Sequence, residues 1–275
     1  MKTVLIVCFF TFMIHLAETL ALSMRLAGVR TKQVATSISF VNASFLVSRM
    51  SNMLQAPLLG AMVDAAVNPN SMFNSAMLGT NFRWIIFAAF WGNLLGAFLT
   101  PTFAYIFEKG IYIFEKEGSI PKLIGAALRP RNMKLIITGF RMPNFESLKN
   151  ISWNNIPHTF LYLNVLMVSI YAIGVLASLY AGAQLPAFRA TAANLSGIVN
   201  GMATILLAIM VDPTGAHIVD QVVRGKRPEA DARSMVFFLI MGRVFGTLII
   251  SQILFWPSTK YIMAATQFVT KMFGG

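Results

Sequence analysis

The chain has 275 residues, 56% of them hydrophobic and only 12% charged, which excludes a soluble globular surface and leaves lipid to cover most of it. Its net charge of +12 comes from 22 Lys and Arg against 10 Asp and Glu; in a membrane protein such an excess belongs to the loops, so no nucleic-acid partner is expected. The single cysteine, Cys8, excludes an intramolecular disulfide and a cysteine-rich metal site.

Lys2 followed by Val4–Met13 imitates a signal peptide, but the stretch runs on through His15, Glu18 and Arg25 without a small-residue cleavage site, so it is expected to stay as a first span. Crossing a hydrocarbon core takes about 20 apolar residues, and six stretches qualify, at roughly 3–27, 33–62, 83–107, 159–183, 187–211 and 234–257. The expected fold is therefore an all-α polytopic membrane protein with about six transmembrane helices. The second span holds Pro57 after Ser51, Asn52 and Gln55, which predicts a kink or a broken helix.

A basic segment, 108–158, separates a first three-span half, 1–107, from a second, 159–275, that carries a short tail. It opens with a local duplication, Tyr105-Ile106-Phe107-Glu108-Lys109 and Tyr112-Ile113-Phe114-Glu115-Lys116, which fits an amphipathic helix on the cytoplasmic face and equally an extension of the third span. A weaker repeat relates the halves. Gly92-Asn93-Leu94-Leu95-Gly96 matches Gly242-Arg243-Val244-Phe245-Gly246, Met62-Val63-Asp64 matches Met210-Val211-Asp212, and Val41-Asn42 matches Val199-Asn200, in the same order. With three spans per half, a true repeat would be inverted in the membrane, an architecture common among secondary transporters. The glycine pairs Gly92/Gly96 and Gly242/Gly246 suit close helix packing, within the chain or between copies in a homo-oligomer.

A charged residue at a helix centre costs about 2.5–3.5 kcal/mol on insertion scales, so intramembrane charge points to function. His15, Glu18 and Arg25 share one face of the first span. In the second, Asn42, Arg49 and Asn52 form one stripe and Ser37, Ser44, Ser48, Ser51 and Gln55 another; Arg189, Ser196 and Asn200 make a comparable stripe in the fifth, and Arg243 lies in the sixth. Ser and Asn commonly join transmembrane helices, Arg25 and Arg189 lie near enough to an interface to snorkel, and Glu18 with Arg49 could form a structural pair. Two deep arginines, Arg49 and Arg243, nevertheless outnumber the one deep carboxylate, and a positive cavity suits a phosphate, which arginine grips bidentately. No His-Glu-x-x-His, Gly-x-x-x-x-Gly-Lys or Gly-x-Ser-x-Gly motif occurs, so no catalytic residue, metal or cofactor is expected.

Three runs carry a family resemblance: His15-Leu16-Ala17-Glu18-Thr19-Leu20, then Arg25-Leu26-Ala27-Gly28-Val29-Arg30-Thr31, then Val47-Ser48-Arg49-Met50-Ser51-Asn52-Met53-Leu54-Gln55-Ala56-Pro57. Together they resemble the Amj family, the alternate lipid II flippases of bacteria; the second half is similar mainly in hydropathy and in Asn194-Leu195-Ser196-Gly197-Ile198-Val199-Asn200-Gly201. The resemblance implies a multi-pass protein of the bacterial plasma membrane, among membrane lipids, that moves an undecaprenyl-diphosphate-linked cell-wall precursor from the inner to the outer leaflet. From the residues, Arg49 and Arg243 would hold the diphosphate, Arg25 and Arg30 would collect it, Arg189 belongs to the same basic set, Asn42, Asn52 and Asn200 would bond sugar or peptide, and His15 with Glu18 would couple a proton or balance charge. An enzyme acting on a polyprenyl phosphate, a transporter of a small anion and a purely structural partner are the rival readings.

With six spans, fifteen Lys and Arg fall on loops one, three and five and five on the opposite side, which predicts both termini outside. Reporter fusions after Lys149 and after Lys271 should register cytoplasm and exterior respectively; the reverse pattern would invert the topology.

Overall fold

The computed structural model describes residues 2–119 and 151–273, together with 122, 125, 129, 138–144 and 149. Six long helices account for most of them: α1 (Lys2–Thr31), α2 (Val34–Val67), α3 (Ser75–Glu117), α4 (His158–Gln184), α5 (Pro186–Val223) and α6 (Glu229–Phe273). All but α2 are both long and apolar enough to cross a membrane. The 34 residues of α2 suffice in length, but its Ser, Asn, Gln and Arg stripes dilute its hydropathy. Most of the expected basic segment, including Arg131 and Lys134, lies outside the described residues.

Local chemistry sets the helix ends. The Asn74 side chain accepts from the Met77 N–H at 3.0 Å and starts α3. Gly118 stops it in the left-handed conformation at φ 70°, its N–H bonded to the Phe114 carbonyl at 2.8 Å. α5 opens on a short 3-10 turn, Pro186–Phe188, and widens into a π turn at Leu207–Val211, just before Asp212 and Pro213. Pro213 cannot donate to the carbonyl four residues back, so the regular ladder is interrupted where the wide turn forms. A second π turn, Gly246–Ile250, interrupts α6. The break expected at Pro57 is absent, because α2 runs continuously from Val34 to Val67.

At 1.5 Å per residue the 43 residues of α3 reach about 65 Å, roughly twice the hydrocarbon thickness. The Thr102 hydroxyl binds the backbone of Arg141, accepting from its N–H at 2.9 Å and donating to its carbonyl at 3.0 Å, and the Arg141 guanidinium lies 4.0 Å from the centre of the Tyr105 ring. The duplicated segment after Tyr105 is therefore the far end of α3 and not a separate surface helix. It is anchored by Ile111, fully buried with Met24, Ala27 and Phe40, and by Phe114 set edge-on to Phe40 at 5.4 Å.

α1 packs chiefly on α2 and α3, and α4 chiefly on α5 and α6. The two glycine pairs make the equivalent contacts possible. A Cβ on Gly92 would lie 2.4 Å from the Phe12 carbonyl oxygen and one on Gly96 2.8 Å from Thr19, both on α1; on Gly242 and Gly246 it would lie 2.9 Å from Asn164 and 2.7 Å from Ser169, both on α4. All four glycines are buried within the chain, where they serve the packing of α3 on α1 and of α6 on α4.

Three apolar clusters hold the bundle. At the end that carries both termini, one cluster joins Val7 of α1, Leu59, Met62 and Val63 of α2, Phe82 of α3, Leu176 and Tyr180 of α4, Ala192 of α5 and Phe255 of α6. At the opposite end the core divides. Leu26 and Val29 pack with Phe160, Val211, Ile218 and Leu239 of α4, α5 and α6, while Met24 and Ala27 pack with Phe40 and Ile111 of α2 and α3.

Gly92→Ala should force α3 away from the α1 backbone and destabilise the protein by about 1–3 kcal/mol, as overpacking does. Gly60→Ala, with nothing within 4 Å of the new carbon, should be neutral or slightly stabilising. Thermal unfolding in detergent compares the two, and equal melting temperatures would show that the α1–α3 approach is not tight.

Candidate functional site

Near the middle of the bundle three helices meet through polar side chains. Glu18 of α1 and Arg243 of α6 form an ion pair, with only 10% and 11% of their side chains exposed. Asn93 of α3, fully buried, completes it: its Oδ1 accepts from the Thr19 hydroxyl at 2.7 Å and from Arg243 Nε at 3.4 Å, and its Nδ2 donates to the Arg243 carbonyl at 3.3 Å and to the Thr247 hydroxyl at 3.1 Å. His15, one turn from Glu18 and 3% exposed, lies beside Asn93 and Arg243, and its Nδ1 has no protein partner. The Thr247 hydroxyl also bonds the Arg243 carbonyl at 2.8 Å, within the π turn that follows Arg243.

A second set of groups lies next to this centre. Tyr171 of α4 faces the Asn52 side chain and lies near Glu18, Arg243 and Arg49. Asn52 in turn accepts from Gln55 Nε2 at 3.2 Å, and Gln55 Oε1 accepts from the Thr11 hydroxyl at 3.0 Å. Arg49 is exposed on α2 and, among the described residues, no carboxylate lies within ion-pair distance of it. The deep carboxylate belongs to Arg243, so the structural pairing of Glu18 with Arg49 that the sequence left open does not form.

The other expected residues lie elsewhere. At the loop end Arg25 pairs with Asp212 at 2.9 Å, its Nη1 buried against Gly215 without a partner, and Arg30 pairs with Glu229 at 3.2 Å and reaches Glu108 at 4.0 Å. Arg189 meets Asp64 at 2.8 Å at the termini end. Asn42 is exposed, and the side chain of Asn200 abuts Gly174 of α4 with its Oδ1 unpartnered, so neither joins the central group. A groove of about 460 Å³ between α4 and α6, lined by Leu161, Tyr162, Leu166, Phe238 and Phe245, is almost wholly apolar and contains none of the candidate charges.

Asn93, Thr247 and Tyr171 escaped the sequence reading because uncharged polar residues in spans are common. One signal was present for Asn93, which occupies the position of Arg243 in the matched Gly-x-x-x-Gly runs. Asp64 and Asp212 stood in the repeat but were not read as partners for arginines.

Two charges this deep are tolerable only as a satisfied pair, and removing one partner of a buried pair typically costs about 3–5 kcal/mol. Arg243→Met should therefore lower stability markedly, and adding Glu18→Gln should restore much of it by removing the orphaned carboxylate. Melting of the two variants decides, and a double variant no more stable than the single one would show that the pair is not the coupled unit.

The comparisons with known proteins cover nearly the whole chain. A family model described as "Amj: Alternate to MurJ" matches residues 10–266. The protein named "Lipid II flippase Amj" from Bacillus subtilis (strain 168) is 36% identical over 265 residues, spanning 96% of this chain and 97% of that protein. No solved structure matches. The early runs around Glu18 and Arg49 and these matches agree, and the chain belongs to the Amj family.

Proposed function

We propose that this protein moves the undecaprenyl-diphosphate-linked peptidoglycan precursor, lipid II, from the inner to the outer leaflet of the bacterial plasma membrane. The observation that carries the reading is the near full-length relationship to a protein of that name. The polar centre supports it. Lipid II presents a diphosphate and a polar head on an apolar chain, and the bundle offers an unpaired arginine, amides and hydroxyls within helices that lipid surrounds. Basic residues concentrate in the segments that follow α1, α3 and α5 in sequence, so the end of the bundle where those helices finish is taken as cytoplasmic and the termini as outside. The halves 1–107 and 159–275, joined by 108–158, are read as inverted repeats. Their matched glycines make matched contacts, and the matched residues Asn93 and Arg243 touch each other, as equivalent residues close to a pseudo-two-fold axis would.

Arg49 is the group free to take the diphosphate. Arg243 can contribute only if phosphate oxygens displace Glu18. His15 and Glu18 thus balance the arginine when the site is empty and offer a place for a coupling proton when it is filled. No bond in the substrate changes. An enzymatic reading would need a free carboxylate at depth, and Glu18 is already engaged by Arg243.

Arginine's planar fork grips a diphosphate bidentately and lysine cannot reproduce it. At matched protein levels, Arg49→Lys should slow lipid II translocation several-fold and Arg49→Ala should slow it more, measured by precursor exposure on the outer leaflet in cells whose other flippases are switched off. Wild-type rates in Arg49→Ala would remove the clamp from the mechanism.

A further inference from the structure

We infer that the seam between α2 and α5 is the lateral doorway through which a lipid-tethered anionic headgroup reaches Arg49, and that the Asp64–Arg189 pair is the clasp closing its outer end. This rests on the proposed direction of transport and membrane orientation. It begins from the way the core divides. At the outer end α2 and α5 share one apolar cluster, through Leu59, Met62 and Val63 on α2 and Ala192, Leu195 and Val199 on α5. At the inner end they part. Phe40 and Val41 of α2 pack with α1 and α3, whereas Leu207, Val211, Ile218 and Val219 of α5 pack chiefly with α1, α4 and α6, a group that α2 touches through its first residue, Val34.

Polar contacts follow the same division. Inside, α2 is held to α3 by Gln33 and Glu115, and α5 to α1 by Arg25 and Asp212 at 2.9 Å. Outside, Asp64 and Arg189 join α2 directly to α5 at 2.8 Å, the one ion pair or hydrogen bond between these helices among the described residues. Arg49 lies where the two helices separate, between Val41 of the inner cluster and Leu58, which packs on the outer one. Exposed Leu46, Met50 and Met53 accompany it on α2, and exposed Ile198, Met202, Ile205 and Ile209 lie along α5, so the helices pair apolar flanks for a polyprenyl chain with a cation for its diphosphate.

The clasp is suited to opening. Its side chains are 66% and 45% exposed, and a solvated ion pair contributes little to stability, as a contact remade in each cycle must. The helices it joins are loosely held, α5 being the least buried of the five most apolar spans. Asp64 and Asp212 both end a Met-Val-Asp run and both bind an arginine of the other half, at opposite ends of the bundle.

The test uses the full-length protein in sealed right-side-out and inside-out membrane vesicles. Cys8→Ala removes the native thiol, Asn52→Cys places a reporter beside the fork, and an impermeant maleimide reads access from each side. The reporter should label readily from the inner face and several-fold less from the outer. Asp64→Ala or Arg189→Ala should raise outer labelling several-fold, and the exchange Asp64→Arg with Arg189→Asp should return it towards the parent. Undecaprenyl diphosphate supplied to the inner face should slow labelling more than inorganic pyrophosphate at equal concentration. Equal labelling from both faces of the parent, unchanged outer labelling in both single variants, or equal protection by soluble pyrophosphate would each overturn the doorway. Labelling reports access whether or not lipid II moves, so the expected pattern without translocation would leave the doorway standing and count against lipid II as substrate.

Discussion

The structure depends on one buried ion pair and on the amide that completes it. Glu18 and Arg243 come from the first and last helices, and Asn93 bonds both the guanidinium and the carbonyl of Arg243. In a low-dielectric bundle neither charge could persist alone, so α1, α3 and α6 are held in the one register that lets the three groups meet. Packing follows from that register. Gly92 and Gly96 bring α3 onto α1, and Thr19 reaches Asn93 across that close contact.

The same centre joins stability to the proposed transport. A satisfied pair is a stable resting arrangement, and in the proposed transport its arginine would have to exchange the Glu18 carboxylate for phosphate oxygens. A diphosphate that captured Arg243 would release Glu18 beside buried His15. Arg49 differs because, among the described residues, it has no carboxylate to displace. In the proposed transport, first contact with the anion would therefore fall to Arg49.

The two halves are alike in plan and different in detail. Each uses its first helix as a hub, flanks it with a more exposed second helix, and seats a third through a glycine pair. The polar position between the glycines is Asn in one half and Arg in the other, which places a charge at the centre with a neutral partner able to bond it. The π turns occur only in α5 and α6 among the described residues, so the second half carries the irregular backbone. Thr247 shows its use: it lies in the widened turn and bonds both Asn93 and the Arg243 carbonyl.

By itself the sequence determined the medium, the helices and the family. Hydropathy reports directly on burial in lipid, six stretches were long enough to become helices, and the runs around Glu18 and Arg49 were sufficient to suggest the relationship. It also marked the residues that repay their insertion cost only by pairing or binding. It could not say which of these they would do. Arg25, Arg30 and Arg189 read as free cations because their partners Asp212, Glu229 and Asp64 lie in the opposite half of the chain, and Glu18 read as a candidate partner of Arg49 because the two are close in sequence. Only the tertiary structure assigned Glu18 to Arg243, 225 residues away, and left Arg49 without a carboxylate partner among the described residues. Periodicity places a charge on a face of its own helix; which other face it meets depends on how six helices pack together, and that is decided by contacts no single segment contains.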